Sequence, residues 1–133
     1  MQPGFFDLNE RHELLEKLGD PLPKIDRLVD WEGFRPILEG VRGRKDPRKG
    51  GRPPFDAVLM FRVLVVQQLY NLSDDQAEFQ LRDRYSFARF VGIEPEGKVP
   101  DAKTIWLFRE TLKQAQVLES LWSELDRQIG QAG

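Results

Sequence analysis

Two groups of residues in this chain have the types and spacing to meet a polyanion. The first is a run of cations, Arg42, Arg44, Lys45, Arg48, Lys49 and Arg52, broken by one acid, Asp46, within the stretch VRGRKDPRKGGRPPFD. Lysine and arginine in a glycine-rich segment bind phosphates and release counterions, which gives affinity without sequence choice. A solvated linker explains the same run as well. The second group is Lys103, Thr104 and Arg109 in PDAKTIWLFRETL. With Asp101 as a helix cap, Lys103 and Thr104 fall in the first turn, with Trp106, Leu107 and Arg109 further along. A helix laid in a major groove meets base edges with its first turn.

Catalytic chemistry finds little support. The chain has no cysteine and one histidine, His12, which removes disulfides, thiolate sites and cysteine nucleophiles and leaves no material for a histidine cluster. His12 falls on the polar side of an amphipathic pattern. No phosphate-binding loop, dinucleotide fingerprint or zinc-protease motif occurs, and GRKDPRKGG lacks the G-K-[ST] ending. Asp7, Asp74, Asp75 and Asp101 each precede or open a helical pattern, where a carboxylate caps backbone N–H groups. No catalytic residue, metal ligand or cofactor is therefore expected.

The formal net charge is −2, and outside residues 42–52 the acids clearly outnumber the bases. The positive charge is thus concentrated, and concentrated charge acts locally even on an acidic chain. The first residues, MQPGFFDLNE, lack the basic-then-apolar order of a secretory signal. The most apolar stretch, residues 57–72, contains Arg62, Gln67 and Gln68 and falls short of the ~20 residues a membrane span needs. These features lead us to expect a cytoplasmic protein without a membrane partner.

The elements that must position these residues read as helical throughout, giving an all-α fold class: a compact bundle of about five to seven helices around a central apolar helix. A first helix is expected from Asp7, with Leu8, Leu14, Leu15 and Leu18, to Gly19. Two short helices follow, one carrying Leu22, Ile25, Leu28 and Val29, the other Trp31, Phe34, Ile37 and Leu38, with Pro36 disturbing the second. FDAVLMFRVLVVQQLYNL is apolar on all sides, the mark of a buried central helix. Its start is prepared by Pro53, Pro54 and Asp56. Ser73 and Gln76 form a capping box for a helix to about Arg84. Ser86 is expected to cap a short helix over residues 87–91, ended by Gly92. Leu118, Leu121, Trp122, Leu125 and Ile129 form a last stripe, read as core or as a partner surface.

We divide the chain into short N-terminal helices (1–40), a basic Gly/Pro linker (41–54) and a helical core (55–133), with a candidate DNA-binding region over residues 73–114. Helix, short helix, loop and longer helix in 73–114 resemble a helix-turn-helix arrangement. The loop between Gly92 and Asp101 is longer than in the tight motif, and a plain helical bundle fits the pattern equally well.

The segments GRPPFD, LSDDQAEFQLRDRYSFARFVG and PDAKTIWLFRETL, in that order, resemble the N-terminal domain of insertion-sequence transposases of the InsH type (the IS-five family). FFDLNERHELLEKLGDPL and DWEGFRPILE are similar to that family's opening region. The resemblance implies a front part that recognises terminal inverted repeats of DNA, followed by a catalytic domain whose Asp-Asp-Glu triad binds divalent metal. No strand carrying a first catalytic Asp is readable in the chain, so the catalytic domain is expected to be absent from it. The implied partners are inverted-repeat DNA, the catalytic domain of the same transposase, and a second copy in a homodimer. Lys103, Thr104 and Arg109 lie in the matching segment. An alternative function is a dimerisation or protein-interaction module without sequence-specific DNA binding.

Overall fold

The computed structural model describes residues 19–43 and 55–132. Residues 7–18 of the expected first helix, His12 within them, and Arg44, Lys45, Arg48, Lys49 and Arg52 lie outside the described residues. Helix α1 covers Leu22–Leu28, a 3₁₀ turn Trp31–Phe34, α2 Arg35–Arg42, α3 Ala57–Tyr70, α4 Asp74–Asp83, α5 Tyr85–Val91, α6 Ala102–Gln114 and α7 Leu118–Ala132. No strand occurs among the described residues, and the all-α bundle expected from the sequence is the fold observed.

Helix α3 is the axis. Asp56 caps it, accepting from the N–H groups of Val58 and Leu59, each at 3.1 Å. Asn71 ends it in the left-handed region at φ 57°, a conformation asparagine tolerates well. Met60, Phe61, Val63, Leu64, Val65, Val66 and Leu69 are buried around its whole circumference, each large side chain contributing about 2 kcal/mol. Phe61 meets Phe34 at 4.9 Å, Trp31 at 6.3 Å and Trp122 at 5.5 Å between ring centroids. Three rings from two elements, the 3₁₀ turn and α7, thus converge on one side chain.

Arg62 is the one charged residue of α3. It pairs with Asp26 of α1. Its guanidinium lies over the rings of Trp31 and Phe90, at 4.5 and 4.8 Å. The buried Nε has no hydrogen-bond partner; the two π faces supply the electrostatic contact instead.

The described part of the N-terminal segment is not a separate body. Leu22, Ile25, Val29, Trp31, Phe34 and Leu38 bury in the same core as α3. Pro36 does not kink α2: it sits in the first turn, where no intrahelical N–H is lost. Helix α2 also runs two residues into the stretch read as linker, because Val41 and Arg42 have partners to pack on. The Arg42 guanidinium donates to the Phe55 carbonyl and lies 5.5 Å from the Phe108 ring centroid. Arg35, one residue into α2, grips Asp56 with both Nη atoms, at 2.7 and 3.2 Å. Residues 43 and 55 are therefore both held against α2.

The α4 capping box forms as read, with Gln76 N–H to Ser73 Oγ at 3.1 Å and Ser73 N–H to Gln76 Oε1 at 2.8 Å. The next boundary differs from expectation. Arg84, extended at φ −101° and ψ 114°, separates α4 from α5, and α5 starts at Tyr85 without a side-chain cap. Ser86 is inside the helix because Phe87, Phe90 and Val91 must reach the core together. Gly92 closes α5 at φ 98°, a conformation that favours glycine. In α7, Leu121 and Leu125 are buried and Trp122 stacks on Phe61 at an interplanar angle of 28°. That stripe is core. No helix among the described residues is long and apolar enough to cross a membrane.

Candidate nucleic-acid interface

Helix α6 carries the sequence-predicted reading residues, and its surroundings decide what each can do. Asp101 caps it, taking the Thr104 N–H at 2.8 Å. The Thr104 hydroxyl, and after it the Thr104 N–H, hold the Asp101 carboxyl below the usual aspartate range. Thr104 is half-buried, so it belongs first to the cap. A second carboxylate reaches the same turn from α4: Glu78 Oε1 accepts the Ala102 N–H at 2.8 Å and is itself paired with Arg82 at 3.2 Å. Two first-turn N–H groups of α6 are thus already taken by acids of this chain. A phosphate would meet repulsion there, not an open helix terminus.

Ile105, Phe108 and Leu112 bury the inner face of α6. The opposite face carries Lys103, Trp106 and Leu107, all exposed, with Glu110 paired to Lys113 at 3.3 Å. Trp106 and Leu107 are each 47% exposed. Large apolar side chains left in water side by side on one helix face are worth noting because nothing in the fold requires them there.

Arg109 turns the other way. Its Nη1 and Nη2 each lie 2.8 Å from a carboxylate oxygen of Asp74, and Nη1 is 3.2 Å from Gln67 Oε1. Gln67 Nε2 closes the triangle on Asp74 Oδ1 at 2.5 Å. The Arg109 fork, ahead of the opposing effect of burial, holds the Asp74 carboxyl below the usual range, and Asp74 in turn raises Arg109. These three residues line a cleft of about 360 Å³ with Asn71 and Trp122. Arg109 therefore braces α6 against α3 and α4, and does not share the outer face with Lys103. Sequence reading missed this role because the partners stand 35 and 42 residues away. The only local hint was an aspartate at the start of α4, which capping had already explained.

Arg42 is brought to the other flank of α6. It lines a groove of about 220 Å³ between α2 and α6 with Thr104, Leu107 and Phe108. Two features read separately from the sequence, the first residue of the basic run and the first turn of α6, are thus neighbours in space. Helix α4 packs on both α5 and α6, with residues 92–101 connecting those two. No group of three or more histidine, aspartate or glutamate side chains among the described residues could hold a metal ion. The described residues thus do not fit the divalent ions of an Asp-Asp-Glu centre.

A family model described as a transposase domain (DUF772) matches residues 9–111. The chain belongs to this transposase-domain family. The match runs from before α1 into α6 of the transposase domain and includes both candidate groups of cations. No solved structure matches the transposase domain.

Proposed function

We propose that this transposase domain is the non-catalytic, DNA-binding front part of an insertion-sequence transposase of the InsH type, recognising the element's terminal inverted repeats in the cytoplasm. Membership of the transposase-domain family supports the setting. The observation that carries the reading is the outer face of α6, where exposed Lys103, Trp106 and Leu107 stand on a helix braced from behind by Arg109 and Asp74. Lysine supplies a contact to guanine or phosphate, and the apolar pair suits thymine methyl groups. Because carboxylates occupy two N–H groups of the first turn, α6 approaches DNA with its side. Arg42 stands at the flank of that helix, and Arg44, Lys45, Arg48, Lys49 and Arg52 add contacts to phosphates. Asp-Asp-Glu chemistry belongs to another part of the full transposase.

Binding of the purified chain to duplex DNA across a salt series tests this. The expected result is affinity that falls steeply with salt and a preference for terminal-repeat sequence that Lys103→Ala and Trp106→Ala relax. Absence of salt-sensitive affinity for any duplex sinks the proposal. The second reading, a self-association module, draws on the same exposed pair, Trp106 and Leu107. Light scattering decides it: a dimer that Trp106→Ala dissociates, without DNA affinity, favours that reading.

A further inference from the structure

The arginines of the described residues fall into two sets. Arg35, Arg42, Arg62, Arg82, Arg109 and Arg127 each bind a carboxylate or a backbone carbonyl of this chain. Arg27, Arg84 and Arg89 have no such partner among the described residues, and they are not scattered. Arg27 of α1 and Ser86 and Arg89 of α5 line one groove. Arg89 and Tyr85 stand four residues apart on the outer face of α5, with Arg84 just before it.

Arg84 and Arg89 are ordered without being used up. The Arg89 guanidinium lies 5.6 Å from the Tyr85 ring centroid, and that of Arg84 lies 4.9 Å from the Phe87 ring centroid. An arginine stacked on a ring keeps its planar fork of N–H donors free at the rim, already oriented. Tyr85 itself is 69% exposed, more than any other large apolar or aromatic side chain described as exposed. The acids nearby are Asp20 and Asp26, on the same groove, and Asp83. Asp26 is neutralised by Arg62 and Asp20 accepts the Leu22 N–H at 3.1 Å.

We propose that this edge, Arg27, Arg84, Tyr85 and Arg89, is a second DNA contact, made to the sugar–phosphate backbone of a duplex. Arginine forks distributed over two helices suit a chain of phosphates better than a single anion, since each chelates one phosphate in a bidentate manner. The exposed Tyr85 ring lies among them, its hydroxyl a donor to phosphate and its face a contact for sugar. This edge carries affinity and no base preference, in contrast to the outer face of α6. It rests on the reading of the chain as DNA-binding.

The test uses the full chain and a labelled mixed-sequence duplex titrated at several salt concentrations. The variants are Arg84→Gln/Arg89→Gln, Arg84→Lys/Arg89→Lys and, for comparison, Lys103→Ala. The glutamine pair should lower the slope of log affinity against log salt by about two, equally for every duplex sequence, and the lysine pair should restore it. Unchanged thermal unfolding shows that both pairs fold. If wild-type chain binds DNA and the slope is the same in the glutamine pair, the edge is not a DNA contact, while the α6 reading stands. If wild type shows no salt-sensitive binding at all, the α6 reading fails first. If a polyglutamate peptide binds through Arg84 and Arg89 as tightly as the duplex does, the edge serves an acidic protein partner and the inference is overturned.

Discussion

Arg109 of α6 and Asp74 of α4 face each other fork to fork, both N–O distances 2.8 Å, with Gln67 of α3 bonded to each. One polar triangle thus ties α6 to the consecutive helices α3 and α4, 42 and 35 residues back in sequence, beside an otherwise apolar core. Partly buried, the triangle holds α6 against α3 and α4.

Removing the fork should therefore loosen α6. Arg109→Ala is expected to cost about 2 kcal/mol, as for hydrogen bonds to a charged group left unpaired, measured by urea denaturation. Arg109→Lys should recover only part of this, since an ammonium cannot bind both carboxylate oxygens in the same plane. Amide exchange in α6 should rise more than in α3.

Acid should weaken the fold through two aspartates. The Arg109 fork lowers Asp74, and the Arg35 fork lowers Asp56, each below the ordinary 3.8. A carboxyl whose folded pKa is depressed adds stability above its unfolded value and loses it as pH falls through the folded value. Stability should thus be level down to about pH 5 and decline below about pH 4. Asp74→Asn should be less stable at neutral pH and show a shallower decline in acid, read from thermal melts over a pH series.

Truncating Trp122 tests whether the last stripe is core. With its ring stacked on Phe61 at 5.5 Å, Trp122→Ala should lower stability by about 3 kcal/mol. The association state seen by light scattering should not change. A dimer lost on that substitution, with stability intact, would show the stripe to be an interface.

The α6–α7 corner holds a residue in an unfavourable conformation. Gln116 sits at φ 61°, which costs a residue with a Cβ roughly 1 kcal/mol. Gln116→Gly should raise the urea midpoint by a corresponding amount, and Gln116→Val should lower it.

Mutating the outer face of α6 should separate reading from folding. Lys103→Ala and Leu107→Ala remove exposed side chains, so stability should change by less than about 0.5 kcal/mol. Binding to terminal-repeat DNA should fall about tenfold or more for Lys103→Ala, the loss expected of one base or phosphate contact. Fluorescence anisotropy gives the second number and thermal melts the first.

What was legible in the sequence was local. The apolar circumference of residues 57–70, the Ser73–Gln76 box and the cap at Asp101 are written in adjacent residues, because capping and periodicity act within one or two turns; Asp56, read as a charge favoured by the helix dipole, is the cap itself. Those signals were enough for the all-α bundle and for α3 as its axis. They failed at Ser86, where the demand that Phe87, Phe90 and Val91 reach the core outweighed a cap preference worth about 1 kcal/mol.

Only the tertiary structure decided which cations are committed and which are free. Arg109, read as a DNA contact, is bound by an aspartate 35 residues away. Arg62 is enclosed by rings from two other elements. Arg42 is drawn from the basic run to the flank of α6. Arg84 and Arg89, unremarkable in the sequence, emerge at the start and on the outer face of α5 with no anion partner among the described residues. Charge type and helical register are properties of neighbouring residues, but a guanidinium binds whatever carboxylate the packed helices bring within about 3 Å, and packing is settled by the whole chain at once.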